Sequence, residues 1–182
     1  DTLAKLVDAG VEVIAGTGRL VGPHTVSVAG RELTADAIVL ATGARPRVLL
    51  GSRPDGERVL TWEQLYGLPE LPTRMIVVGS GVTGAEFASA YRAMGSEVVL
   101  VSSRDRVLPS EDADAAAVLE RAFARRGVEV RPRSRAAAVR RVDDHVEVEL
   151  TDGSVIEGSH CLLAVGSVPN TDDLGLAEAG VT

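Results

Sequence analysis

MIVVGSGVTGAEFA, residues 75–88, is the stretch on which the fold turns. Arg74–Val78 is a short β-branched run of the kind that forms a strand buried on both faces. Gly79, Gly81 and Gly84 follow in G-x-G-x-x-G spacing. In that pattern the first glycine permits a tight turn, the second lets the backbone approach a pyrophosphate, and the third lets the next helix pack close to the strand. The helix expected over 85–94 then aims its first N–H groups at bound phosphate. Ser80, Val82 and Thr83 fill the turn between the glycines. A second apolar run, EVVLV at 97–101, arrives where a βαβ unit needs its next strand. The stretch therefore reads as a dinucleotide-binding turn.

The residues after that second strand bear on which dinucleotide. About twenty residues beyond the glycines, a site for NAD offers Asp or Glu to the adenosine ribose. This chain offers Ser102, Ser103 and Arg104. A carboxylate would repel a 2′-phosphate, whereas two hydroxyls and a guanidinium accept one through charge-assisted hydrogen bonds. NADPH is then expected to be taken at least as well as NADH. In the competing reading Arg104 pairs with Asp105 or Asp112.

Composition narrows the classes. The 182 residues are 45% hydrophobic and 25% charged, with a formal net charge of −7, which describes a globular chain with room for a real core. No basic face is evident, so nucleic acid is not an expected partner. No apolar run is long enough for a membrane-spanning helix. The single cysteine, Cys161, excludes an internal disulfide framework and suits a reducing, cytoplasmic setting. It lies in the apolar strand CLLAV and reads as a buried packing residue. His24, His145 and His160 fall in or beside hairpins without recognisable metal-ligand spacing, so no metal site is expected. The chain opens at Asp1 inside a helical pattern (Leu3, Leu6, Val7) and reads as part of a longer polypeptide.

A repeat underlies the organisation. GVEV occurs at 10–13 and again at 127–130. Each copy leads through alternating segments (25–33; 146–158) that turn at Ala-Gly or Asp-Gly, as hairpins do. Each ends in an apolar strand closing on glycine and proline: AIVLATGARP at 37–46 and HCLLAVGSVPN at 160–170. The second copy is preceded by a βαβα stretch (strand 74–79, helix 83–94, strand 97–102, helix 112–126), and the first is not. One nucleotide-binding domain is therefore expected whole and another in part. The expected divisions are a partial domain over 1–48, a Pro- and Gly-rich connector over 49–72, a complete domain over 73–172, and a return segment over 173–182.

ATGARP, GSGVTGAEFA, VLPSEDADAA and LLAVGSVPNT, in that order, resemble the pyridine nucleotide-disulfide oxidoreductase flavoproteins. Within them the wording is most similar to the NAD(P)H:quinone reductases often labelled dihydrolipoamide dehydrogenases. The resemblance implies an α/β fold: a Rossmann-like three-layer NAD(P)-binding domain, made of a parallel sheet plus a β-meander, with part of a similar FAD-binding domain. It implies FAD and NAD(P)H as cofactors. Gly18, Ala41, Thr42 and Gly43 would meet FAD, Gly79–Gly84 the NAD(P)H pyrophosphate, and Glu86 and Gly166 the nicotinamide end. It also implies hydride passing from NAD(P)H to FAD and on to a quinone-like acceptor, or to a disulfide if a redox-active cysteine pair precedes Asp1. A non-catalytic nucleotide-binding module is the further alternative. A homodimer would form through a carboxyl-terminal domain beyond Thr182. Two departures stand out: Val82 replaces a bulky aromatic, and Ser167 replaces an arginine in the motif after the closing strand.

Overall fold

The computed structural model describes residues 1–181. They divide into two compact units, one formed by Asp1–Ala44 with Pro169–Thr182 and the other by Arg45–Val168.

The first unit begins with helix α1 (Thr2–Asp8), capped by the Asp1 carboxylate, which accepts the Leu3 amide at 3.1 Å. A three-stranded antiparallel meander follows: β1 (Arg19–Gly22), β2 (Thr25–Val28) and β3 (Arg31–Thr34). The carboxyl-terminal segment is tied to β1, because the Leu20 amide donates to the Leu174 carbonyl at 2.8 Å and Arg19 bonds the Asp173 carbonyl and Glu178. Two segments of strand composition, GVEV and the expected closing strand AIVLA, form no strand here. Residues 11–14 and 37–41 carry no ladder among the described residues, and Val39 is 87% exposed. A strand needs a partner for its N–H and C=O groups; this unit offers these segments none. The chain passes between the units through β4 (Ala44–Pro46) on the way in.

In chain order, the second unit contains β5 (Val59–Thr61), α2 (Trp62–Leu65), β6 (Arg74–Val78), α3 (Val82–Met94), β7 (Glu97–Val101), α4 (Ala113–Arg126), β8 (Glu129–Arg131), the strands β9 (Ala136–Val142), β10 (His145–Leu150) and β11 (Val155–Gly158), then β12 (His160–Leu163). β13 (Ser167–Pro169) leads out and pairs with β4. The five parallel strands lie in the order β5–β12–β6–β7–β8. Residues 49–72, expected as a connector, thus supply an edge strand whose three residues are all buried. Three residues are too few to announce a strand by periodicity.

Alternation across this sheet explains its near-continuous Val, Ile and Leu runs. Leu60, Leu162, Val77, Leu100 and Val130 lie side by side across it and face one core cluster with Ala85, Ala88 and Tyr91 of α3 and Phe123 of α4. Val59, Cys161, Ile76 and Val99 form the adjacent row and face the other cluster, with Val139, Val146, Val148 and Ile156 of the meander β9–β10–β11. Successive side chains point to opposite faces, so the central strands β6, β7 and β12 are apolar on both faces beyond their first residues, whereas the edge strand β8 buries only Val130 in part. At about 1.5–3 kcal/mol per buried aliphatic side chain, these two rows supply the main drive for folding. The α/β layering of helices, parallel sheet and antiparallel meander is the expected one. α4 buries Ala116 and Phe123 and partly buries Leu119, a helical stripe. Asp112 caps it, accepting the Asp114 and Ala115 amides at 3.0 Å.

Candidate functional site

The carboxyl ends of β6, β7 and β12 carry the site. Where β6 turns into α3, the three glycines meet different constraints. Gly79 has φ +114°, and a Cβ there would lie 2.2 Å from the Ala164 carbonyl oxygen. A Cβ on Gly84 would lie 1.9 Å from the Gly79 carbonyl oxygen. Both are therefore obligatory for the close approach of strand, helix and neighbouring turn. Gly81 differs. Its φ is −70°, and a Cβ there would meet no protein atom within 4 Å. The protein itself does not require glycine at 81, so the open space in front of it is room for something else. Gly81 also caps α3 without a side-chain hydrogen bond, which leaves the first amides of a 13-residue helix without intrahelical acceptors. An anionic diphosphate is the natural complement.

The adjoining turn after β7 is held in place from below. Ser102 is fully buried; its Oγ lies 2.6 Å from Ser80 Oγ and accepts the Arg104 amide at 3.2 Å. This hydroxyl pair pins the two turns together. The loop after β8 completes the support: the Arg133 amide donates to the Arg104 carbonyl at 2.7 Å and the Ser134 amide to the Ser102 carbonyl at 2.8 Å. Of the three residues expected at the adenosine end, Ser103 and Arg104 face outward and Ser102 faces in. Among the described residues Arg104 forms an ion pair with neither Asp105 nor Asp112, and Asp112 is engaged as the α4 cap.

Beside Gly79 lies a cavity of about 280 Å³ bordered by Ser103, Ser134, Arg47 and Arg135. A smaller one of about 120 Å³ lies beside Gly81 and Val82, under Leu108–Glu111. Arg47 and Arg135 were not among the candidates from sequence. Arg135 ends the basic run RPRSR at 131–135, which was the available signal. Arg47 becomes relevant only through the fold: its amide donates to the Gly166 carbonyl at 3.0 Å and its Nη2 approaches the Ser167 carbonyl at 3.5 Å. A guanidinium thus stands beside the turn where the sequence carries serine instead of arginine. Gly166 itself has φ +99°, a conformation suited to glycine. Exposed Glu86, one turn into α3, borders a shallow groove of about 670 Å³ with Val82, Ser89 and Glu111.

The remaining candidates lie in the first unit. Thr42 Oγ1 donates to the Asn170 carbonyl at 2.8 Å, Asn170 Nδ2 donates to the Thr42 carbonyl at 3.2 Å, and the Asn170 amide donates to Gly43. This exchange presents Ala41, Thr42 and Gly43 (φ +74°) as an exposed turn against which a ligand backbone contact can form. Gly18 is half-buried beneath β2, with Val26 at 3.5 Å from a hypothetical Cβ.

Titratable groups outside the turn do not compete for the chemistry. Burial pushes the Cys161 thiol well above its ordinary range, so it does not supply a thiolate. Burial, then the Arg58 charge, lowers His160. Burial works to raise Asp55, but the amides of Glu57, Arg58 and Val59, with Arg141, bring it below the usual carboxylate range.

A parallel sheet with its glycine turn, a helix N-terminus without a side-chain cap and flanking guanidinium groups has the architecture of the dinucleotide-binding α/β proteins. Comparison with known proteins agrees. Residues 2–182 match the pyridine nucleotide-disulphide oxidoreductase family, and the chain belongs to that family. It is 50% identical over 192 aligned residues to the NAD(P)H dehydrogenase (quinone) of Mycobacterium tuberculosis, covering all of this chain and 39% of that protein. It is 36% identical to the dihydrolipoyl dehydrogenase of Zymomonas mobilis, covering 94% of this chain and 39% of that protein. Among solved structures, LpdA of M. tuberculosis superposes with a TM-score of 0.86 at 51% identity, over 99% of this chain and 42% of that one. The chain therefore spans about two fifths of the length of these relatives.

Proposed function

We propose that the polypeptide carrying this chain is a flavin-dependent NAD(P)H oxidoreductase that reduces a quinone-like acceptor. The observation that carries the reading is the space left open at Gly81 between two glycines that the fold itself demands. The 50% identity to an NAD(P)H dehydrogenase (quinone) supports the acceptor class.

In this reading the amides of Gly79–Gly84, with Ser80, Val82 and Thr83 in the turn, hold the dinucleotide diphosphate. Ser103 and Arg104 bind the adenosine phosphate, with Arg135 alongside, and Ser102 positions them from beneath. Glu86 and Gly166 border the nicotinamide end, where glycine lets the ring pass near the backbone and Arg47 supplies positive charge. Gly18 and Ala41–Gly43 contribute backbone contacts to FAD. When both cofactors are bound, they supply the hydride transfer themselves; the protein orients them and excludes water. No acid or base from this chain is required for that half-reaction. A cytoplasmic location belongs to the same proposal, supported by the lone free cysteine, together with a homodimer as implied by family membership. No helix among the described residues is long and apolar enough to cross a membrane.

The 36% identity to a dihydrolipoyl dehydrogenase favours a second reading, with a disulfide as acceptor. Anaerobic titration of the full-length holoprotein with NADPH separates the two. The expected result is bleaching of the flavin band with no long-wavelength thiolate–flavin absorption. Appearance of that absorption selects the disulfide reading, and absence of bleaching refutes both.

A further inference from the structure

The meander β9–β10–β11 carries a group of side chains that the dinucleotide site does not use. His145 and Glu147 stand two apart on β10 and so share a face. Glu157 of β11 is the direct cross-strand partner of Glu147. The ligand atoms of these three residues all lie within 4.8 Å of one another. The register of the hairpin, which the sequence does not display, is what assembles them; histidine spacing alone had pointed away from a metal.

The geometry points to a binding site for one divalent transition cation of the Zn²⁺ or Cu²⁺ type, held by the His145 imidazole and the Glu147 and Glu157 carboxylates. Three features support it. First, like charges directly opposite on adjacent strands are destabilising, and Glu147 faces Glu157 with no arginine or lysine ion pair to either among the described residues. Arg140, which lies across from Glu147 on β9, is bound to Glu149 at 2.8 Å. A bound dication removes that repulsion. Second, the two imidazole nitrogens are differentiated. Nδ1 lies 3.5 Å from the Asp144 carboxylate and Nε2 lies 3.9 Å from Glu147 Oε1. Nε2 is thus the nitrogen turned toward Glu147 and offered to the ion, with Nδ1 on the side of the exposed Asp144 carboxylate. Third, the separation fits. Zn–N and Zn–O bonds of about 2.0–2.2 Å place two ligand atoms roughly 3.4 Å apart across a tetrahedral centre, so small side-chain adjustments close the set. One nitrogen and two carboxylates suit borderline ions better than Mg²⁺, which prefers an oxygen shell. The site clips β10 to β11 on the exposed face of the meander, away from the glycine turn at the sheet's carboxyl edge.

The test uses the full-length holoprotein, stripped with EDTA and titrated with ZnCl₂ by calorimetry, and with Cu²⁺ followed by electron paramagnetic resonance. Expected are saturable Zn²⁺ binding at this site, a Cu²⁺ spectrum with coupling to a single nitrogen, and a higher melting temperature in Zn²⁺ than in EDTA. His145→Ala and Glu157→Gln should each weaken binding at least about tenfold, since even outer-sphere partners cost that much. Both positions are partly or fully solvent-facing, so without metal His145→Ala should melt as the parent does, and Glu157→Gln, which removes the Glu147–Glu157 repulsion, should melt at or slightly above the parent. The inference is overturned if no saturable binding occurs at sub-millimolar Zn²⁺, or if both variants bind as the parent does. Because flavin reduction by NADPH does not pass through these residues, failure here leaves the proposed function untouched.

Discussion

Substituting alanine separately at Gly81 and Gly84 distinguishes a glycine kept for a ligand from one kept for the fold. At Gly84 the new methyl would lie 1.9 Å from the Gly79 carbonyl oxygen and 2.9 Å from its carbon. Both are backbone atoms, so α3 must shift by at least about 1 Å, and overpacking of this kind costs about 1–3 kcal/mol. At Gly81 the methyl meets no protein atom within 4 Å, and the φ of −70° suits alanine. Reduced freedom of the unfolded chain contributes about 0.4–1 kcal/mol of stability. The poorer capping of α3 by alanine offsets roughly 0.5–1 kcal/mol of it. The net change in stability should therefore lie within about 1 kcal/mol of zero. Binding behaves oppositely, because the methyl occupies the diphosphate's approach. Losing one charge-assisted hydrogen bond, about 1.5–3 kcal/mol, weakens NADP⁺ roughly 10- to 100-fold. The assays are thermal unfolding and NADP⁺ calorimetry on the full-length holoprotein. Gly81→Ala should keep its melting temperature and lose affinity, while Gly84→Ala should lose melting temperature. Unchanged NADP⁺ affinity in Gly81→Ala would refute the diphosphate assignment.

Two further outcomes test other parts of the structure. Arg104→Ala should reduce kcat/KM with NADPH by about 10- to 100-fold, the worth of a charged hydrogen bond, and leave NADH nearly unaffected; equal losses with both cofactors would remove Arg104 from the phosphate site. Asp55→Ala should destabilise the protein by about 1–2 kcal/mol at neutral pH, since the carboxylate accepts three amides at 2.8–2.9 Å. Because the folded pKa is depressed, that stabilisation is complete above the unfolded value near 4 and is lost as pH falls through the lower folded value. Thermal unfolding of both proteins should accordingly converge in strong acid and separate above about pH 4.

The legible parts of this sequence were those in which a residue type answers a local demand. Gly79 and Gly84 are glycine because backbone presses on them, and G-x-G-x-x-G spacing records that pressure. The central parallel strands β6, β7 and β12 were legible because two-sided burial makes them apolar almost throughout. β5 was not, since three residues in a stretch rich in proline and glycine carry no period. Arg47 and the inward direction of Ser102 depend on which turns the sheet brings together. The first unit shows the converse. GVEV and AIVLA have strand composition, yet residues 11–14 and 37–41 form no ladder among the described residues. Composition grants the capacity to pair and cannot supply the partner.

The two ends of the second unit lie side by side: the Arg47 amide bonds the Gly166 carbonyl, where β4 leads in and β13 leads out. In the first unit, by contrast, Leu20 must find Leu174, and Thr42 must find Asn170, across the whole intervening sequence. Closing a loop as long as Arg45–Val168 in an unfolded chain carries a length-dependent entropy cost of roughly 4 kcal/mol. Once the insert has folded, its juxtaposed ends shorten both loops, reducing the one between Thr42 and Asn170 to a short turn and leaving a moderate loop between Leu20 and Leu174. Folding of the inserted unit thus lowers the entropic barrier that its discontinuous host must cross to close.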